Sequence, residues 1–413
     1  MMQSTITESE LTEAVVRKLS KAKNEPDWML QARLEAFGKF EELELPQLSY
    51  GLHVRASQNI NMTELRPFEN ATSHHGAITD GVIIEDLSAA ATKRESVLRP
   101  LLEGRVFQNK LDALHAAFWN TGVFVYLPKK IGMTVDAAKV HLLLKQKQTE
   151  IIYIIVVAEE NANISVTELL VSGQESQDRE YRIELVDVYA RAGAKVSFAT
   201  LQKLGTNVQS IISRQSAVEN SASVDWSDIS IGGGSTKQET VSNLNSEGAA
   251  STIQGAFFGD GIQQLDMMAK AVHNAMNTTS NMGIKGALKG RSKAIVQSFT
   301  KIMKNAANSA GHQKANILLL SDSAKASPIP KLEIDNYDVK ASHEASVGRL
   351  DSEKLFYMLS RGLEMKEAMK LVVEGFFEPL LRQIQSQDLA EELRQTITAK
   401  METAQQEILV VGK

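Results

Sequence analysis

Apolar residues recur with a helical period at both ends of this chain and with a strand period through its middle. Near the start, Thr7 and Glu10 have capping-box spacing, and Leu11, Val15 and Leu19 follow on one face. A turn at Asn24-Glu25-Pro26 opens a second helix, with Pro26 near its first turn. Leu30, Leu34 and Phe37 follow at i, i+4 and i+7, and the pattern stops before Pro46. Residues 47–80 are mixed and polar with short extended pieces. Residues 94–119 return to a helical pattern carrying Leu111, Leu114, Ala117 and Phe118. From Gly122 the period changes: Val123, Val125 and Leu127 alternate before Pro128, and 151–158 is an apolar run of buried-strand length. A polar strand edge with Ser342, His343 and Glu344 leads through a turn containing Gly348. Helical spacing then resumes at Leu355, Met358 and Leu359, continues at Met365, Met369, Val372 and Phe376, and ends with Leu389, Leu393, Ile397 and Met401.

Within the strand-rich middle, turn clusters carry an alanine followed by alternating residues. The alanines are Ala162, Ala194, Ala222 and Ala249, at steps of 32, 28 and 27 residues. Repeats of this length with strands and no intervening helices suggest a parallel β-solenoid, in which small residues at the turns let coils stack closely. The alternative is a β-sandwich with a turn about every 8–12 residues. Gly232-Gly233-Gly234 reads as a flexible turn.

At 413 residues the chain is long for one ordinary core and suggests two or three domains, or one elongated repetitive one. The outline is a helical region at 1–80, a β core with an early helical segment at 81–347 and a helical domain at 348–413. A hydrophobic content of 43% with 23% charged residues fits a globular protein, and the few aromatics (6%) suit a solenoid of Val, Ile, Ala and Ser. The net charge of −5 argues against a nucleic-acid binder. No apolar run reaches the roughly 18 residues a transmembrane helix needs. The acidic, helical N-terminus lacks the pattern of a secretory signal, so a cytoplasmic location is expected. There is no cysteine, which removes disulfides, thiol nucleophiles and thiolate ligands to iron from within this chain.

Catalytic signatures are missing as well. No G-x-x-x-x-G-K-[ST] run exists, and neither GGGSTK at 232–237 nor the glycines at 286 and 290 have the spacing to cradle phosphates. Asp225, Asp228 and Asp260 read as scattered through turns, which argues against a carbohydrate-cleaving enzyme on a β-helix. His74-His75 reads as a surface pair, and His273 as a structural side chain in a solenoid turn.

Four stretches resemble the SufB/SufD family, scaffolds of the SUF iron–sulfur cluster assembly system. They are EPDWMLQARLEAFGKFEELELP (25–46), LHAAFWNTGVFVYLPKK (114–130), DMMAKAVHNAMNTTSNMGIKGALKGRS (266–292) and the SHEA run followed by LFYMLSRGL (342–363). The resemblance implies a right-handed parallel β-helix flanked by N-terminal and C-terminal α-helical domains. It implies pairing with a second SufB/SufD-type scaffold, as homo- or heterodimer, through the β-helices. It also implies docking of a SufC-like ABC ATPase on the C-terminal helices, so that ATP hydrolysis belongs to the partner and this chain is not an enzyme. Aligned back from SHEA, the cysteine of SufB-type chains falls on Ala315, with His312 three positions before it. Their Glu-His-Glu triplet falls on Ser342, His343 and Glu344. SufD-type chains share the absent cysteine and the Ser-His pair but carry glycine next, so this chain is a hybrid.

Imidazole binds Fe²⁺ and carboxylate is a hard ligand, so His343, alone or with Glu344, suits iron ligation or entry at a scaffold interface. Adjacent residues on a strand point to opposite faces, so one regular strand does not bring both into one site. The structural alternative is that His343 hydrogen-bonds across the interface and Glu344 caps a neighbour. No stably bound cofactor is expected, only transient iron or cluster. Residues 351–381 are the expected ATPase-docking surface, with Phe356, Tyr357, Arg361, Met365 and Phe376 as contacts. The alternative role is a non-catalytic paralogue that stabilises or regulates the complex without metal.

Overall fold

A computed structural model describes residues 11–45, 61–67, 73–77, 81–129, 138–146, 149–172, 178–382 and 387–402. The first described elements are α1 (Glu13–Ala22) and α2 (Asp27–Glu42). The Thr12 hydroxyl accepts from the Val15 amide and caps α1; Thr7 and Glu10, expected as its capping pair, lie outside the described residues. Next come β1 (Ser73–Ala77), which holds His74 and His75, β2 (Ile83–Asp86), α3 (Leu87–Lys93), α4 (Glu95–Leu102) and α5 (Lys110–Phe118). Phe37 and Phe40 of α2 meet Phe118 of α5 edge-on, at 6.0 and 5.7 Å between ring centres. Arg33 locks this contact. It grips Glu25 through two bonds of 2.7 and 2.8 Å, donates to the Ala117 and Trp119 carbonyls, and stacks 3.8 Å over the Trp119 ring.

Sixteen strands follow. The first eight are β3 (Thr121–Leu127), β4 (Ala138–Gln146), β5 (Thr149–Ala158), β6 (Asn163–Ser172), β7 (Glu180–Ala190), β8 (Lys195–Lys203), β9 (Val208–Val218) and β10 (Ser223–Ser230). The rest are β11 (Ser235–Leu244), β12 (Ala250–Gly259), β13 (Gln264–His273), β14 (Thr279–Leu288), β15 (Lys293–Ile302), β16 (Ser309–Leu319), β17 (Lys325–Ile334) and β18 (Val339–Arg349). Even-numbered strands join β1 in one nine-stranded sheet, and odd-numbered ones join β2 in another. β1 and β2 pair antiparallel with β4 and β3, and every later pairing is parallel. Each coil thus gives one strand to each sheet, and the apolar core lies between them. This is a parallel β-solenoid with helices at both ends.

The alanine repeat is one corner of it. Ala162, Ala194, Ala222 and Ala249 are buried, and each carbonyl accepts from the amide one coil further on, at 2.8 to 3.1 Å. The corner continues with Thr278 and Ser309, whose hydroxyls bond to each other at 2.8 Å. The residue before each corner position has positive φ: Asn161, Gly193, Ser221, Gly248, Asn277 and Asn308. Asparagine and glycine are the residues that enter this left-handed region most readily.

Two expectations need correction. Gly348 is not in a turn but inside β18, whose last residue is Arg349. Asp225 and Asp228 are not in turns either: both lie in β10, and Asp228 is buried against Arg214. The strand holds Asp228 because the solenoid's inner face is partly polar, and Asp225, between the inward Val224 and Trp226, faces outward and is half-buried.

The chain closes with α6 (Ser352–Ser360), α7 (Met365–Leu381) and α8 (Gln387–Glu402). Gly362, at φ +93, makes the break after α6. Val373, Phe377, Leu380, Leu393 and Ile397 pack on the outer face of the even-strand sheet, over Ala199, Leu201, Ile229 and Phe258. Lys203 pairs with Glu392, and Lys285 donates to the Phe376 carbonyl at 2.5 Å, fastening the helices to the sheet.

Candidate functional site

The helices of the N-terminal region pack on the outer face of β3, β5 and β7, and antiparallel β1 and β2 flank the first coil, while the last coil ends in two edge strands. β17 has β15 on one side, β18 has β16, and among the described residues neither has a strand beyond. β17 carries Pro328 and Pro330; proline has no amide N–H to give, a common protection of a sheet edge. β18 has no proline and is exposed over most of its length.

Register places the candidate residues on this edge. Ser342 lies beside His312 of β16, His343 beside Gln313 and Glu344 beside Lys314. The inner column reads Val166, Phe198, Trp226, Ile253, Met282, Gln313 and His343 through six successive pairings. His343 is thus the exposed last member of a core column that turns polar at its end. Ala315 faces the same way, opposite Ala345 and so diagonal to His343. Ala315 is buried.

Glu344 faces outward, away from His343. Lys314 donates to it at 2.9 Å and holds its carboxyl below the usual range. On the same face His312 Nδ1 and Ser342 Oγ share a 2.8 Å bond, and Asn316 donates to Ser346 at 2.6 Å. Glu344, Lys314, His312, Ser342 and Asn316, with Lys285 and Pro379, line a groove of about 780 Å³ beside α7, and His343 borders it too. The groove was not legible in the sequence, since it needs strands some 30 residues apart to stand side by side. Among the described residues, no group of three or more His, Asp or Glu is arranged to hold a metal ion.

His273 is remote from this edge in role. It ends β13 inside the solenoid, its ring nitrogens 2.8 Å from the hydroxyls of Thr278 and Ser280, and burial lowers it to about 4. On the helices, Phe356 and Tyr357 of α6 are exposed, at 73% and 59%, as is Met365 at 48%. Nothing in α6 is buried. The Arg361 guanidinium lies 5.1 Å from the Tyr357 ring centre. Phe376 instead packs against the helix–sheet cluster, with Lys285 above its ring.

The chain is thus a two-sheet parallel β-solenoid with a polar, exposed last strand and an exposed helix after it. The family model described as SUF system FeS cluster assembly, SufBD core domain, matches residues 142–376, more than half of the chain. The chain belongs to the SufB/SufD family of the SUF iron–sulfur cluster assembly system. An iron-sulfur cluster assembly SufBD family protein of Staphylococcus saprophyticus is 26% identical over 440 aligned residues, covering 96% of this chain and 94% of that protein. Counterparts in Staphylococcus haemolyticus and Staphylococcus epidermidis show the same identity and coverage. Among the described residues no helix is long and apolar enough to cross a membrane.

Proposed function

We propose that this chain is one of two scaffold subunits that meet at the open end of the solenoid, where His343, joined by ligands from the partner, receives iron. The observation that carries this reading is the unprotected edge β18, which presents His343 at the end of the core column while β17 is guarded by prolines. With Glu344 turned outward and tied to Lys314, His343 is the residue of this pair that an opposing subunit would meet from the core side. Iron is the cargo here, and its remaining ligands come from the partner scaffold. Sulfur chemistry belongs to a cysteine-bearing partner, since Ala315 offers no thiolate. The exposed face of α6 with Met365 suits docking of a SufC-like ABC ATPase, whose closure on ATP would twist the scaffold pair and expose the interface.

Two measurements test the reading. Iron content of the complex with its partner scaffold is expected to fall in His343→Ala and hold in Glu344→Gln; full loading of His343→Ala overturns the assignment. A pull-down with the ATPase is expected to weaken at least tenfold in Phe356→Ala/Tyr357→Ala, the loss of about 1.4 kcal/mol or more that interface aromatics commonly carry. Retained binding places the docking surface elsewhere. A second reading, a structural paralogue that holds no iron, is favoured by Ala315 and by the lack of a ligand cluster among the described residues. It predicts equal iron loading with and without His343.

A further inference from the structure

The inner face of the central coils carries charge at positions the strand pattern reserves for apolar residues. In β6, Glu168 stands between the inward Ile164, Val166 and Leu170; Arg182 and Glu184 of β7 and Arg214 of β9 face it from the other sheet, with Glu150 of β5 behind, and Asp228 of β10 lies in its own column beyond Thr200. All are buried. Arg214 donates to Glu168, Glu184 and Asp228 at 3.0, 3.0 and 2.8 Å. Arg182 bonds Glu184 at 2.5 Å and Glu150 at 3.2 Å, and stands 4.0 Å from Glu168. Thr200 and Thr240 add hydroxyl bonds to Glu168 and Asp228, and the β4 residue in register with Glu168 is Leu142.

Charge does not balance in this set. With Glu150 left aside, three carboxylates share two guanidiniums, and Arg182 divides its donors between Glu184 and Glu150. An uncompensated carboxylate in a dry interior is costly enough that such groups take up a proton instead. Glu168 shows where. Its Oε2 accepts from Thr200 and Arg214, but its Oε1 is buried with no hydrogen-bond partner, a position far less costly for a neutral carboxyl than for an ionised one. The ligand geometry is wrong for a metal ion instead of a proton, since among the described residues no carboxylate cluster could cage one.

The strands carrying this cluster are also the seat of the C-terminal helices. Leu169, Ala199, Leu201 and Ile229, on β6, β8 and β10, point outward into the packing under α7 and α8. We propose that the central coils hold one exchangeable proton, on Glu168, which balances the third carboxylate and keeps these strands rigid beneath the C-terminal helices. Burial, and then the Glu184 charge, raise Glu168 to about 7. The folded chain therefore binds a proton that the unfolded chain has released above the ordinary carboxylate range. Stability from this group falls as pH rises toward about 7 and is constant beyond it.

The test is an infrared titration of the full-length chain across neutral pH, with hydrogen-exchange protection measured in parallel. A protonated-carboxyl band that disappears as pH rises is expected in the wild type and absent in Glu168→Gln. Asp228→Asn, which removes one competing negative charge, is expected to shift the band's midpoint to lower pH. Protection of β6, β8, β10, α7 and α8 is expected to drop as the band is lost, and to stay level in Glu168→Gln. A wild type with no such band, the same band in Glu168→Gln, or protection that ignores it overturns the proposal. The wild-type titration decides the first point even where a variant fails to fold.

Discussion

His273 closes β13 with its ring inside the solenoid, and the Thr278 and Ser280 hydroxyls on its two nitrogens suit a neutral imidazole. Burial holds it at about 4, against an ordinary 6.5. The unfolded chain therefore takes up a proton first as pH falls below 6.5, so stability from this residue is complete above 6.5 and lost as pH falls toward 4. The loss is about 3 kcal/mol, opposite in sign to that of Glu168. Urea unfolding at a series of pH values, on the wild type and His273→Gln, separates the two; an unchanged acid limb in the variant would dismiss His273. At Gly286 the constraint is steric. A Cβ there would lie 1.9 to 2.4 Å from the Phe257 ring, which is itself buried. Gly286→Ala is expected to cost about 2 kcal/mol or more, since overpacking in a closed core has nowhere to relax. Denaturant unfolding checks it.

Elements of this fold are set by the corner that repeats once per coil. Ser221 holds φ +52 where Gly193 and Gly248 do the same work in adjacent coils. Ser221→Gly is expected to stabilise by up to about 1 kcal/mol, and Gly248→Ala to destabilise by about 1–2 kcal/mol, because only a residue with a Cβ is strained there. Thermal melts of the two variants should move in opposite directions. The same corner explains what the sequence exposes and what it hides. Four coils are legible because alanine marks them, but Thr278 and Ser309 fill the later corners, and hydroxyls satisfy each other there without looking like a repeat. End helices are legible from their spacing, since their apolar faces meet only one surface. Asp228 misleads because a charged residue usually marks a turn, whereas here Arg214 and Thr240 satisfy it inside the core. Of the candidate site, the opposite facing of His343 and Glu344 follows from strand geometry alone. The pairing of His312 with Ser342 does not, because it depends on register between coils.

For the whole molecule, the decisive asymmetry is between its two ends. Antiparallel β1 and β2 flank the first coil, and prolines guard one of the two edges at the last. An exposed edge strand without such protection is a template for pairing with another chain. Under the proposed reading, β18 is that template, and the second scaffold extends the even-strand sheet. A proline in place of Ala345 or of Ser346 would remove an edge amide on one side of the strand or the other, and the two positions together cover both directions. One of the two is expected to turn the paired scaffold into single chains by light scattering, with the thermal melt of the isolated chain moved little, because β18 is exposed and at the end of the stack. Its neighbour, whose amide is committed to β16, should instead lower the melt. Pairing that survives both substitutions would mean that the subunits meet through another surface, and His343 would lose its place at their junction.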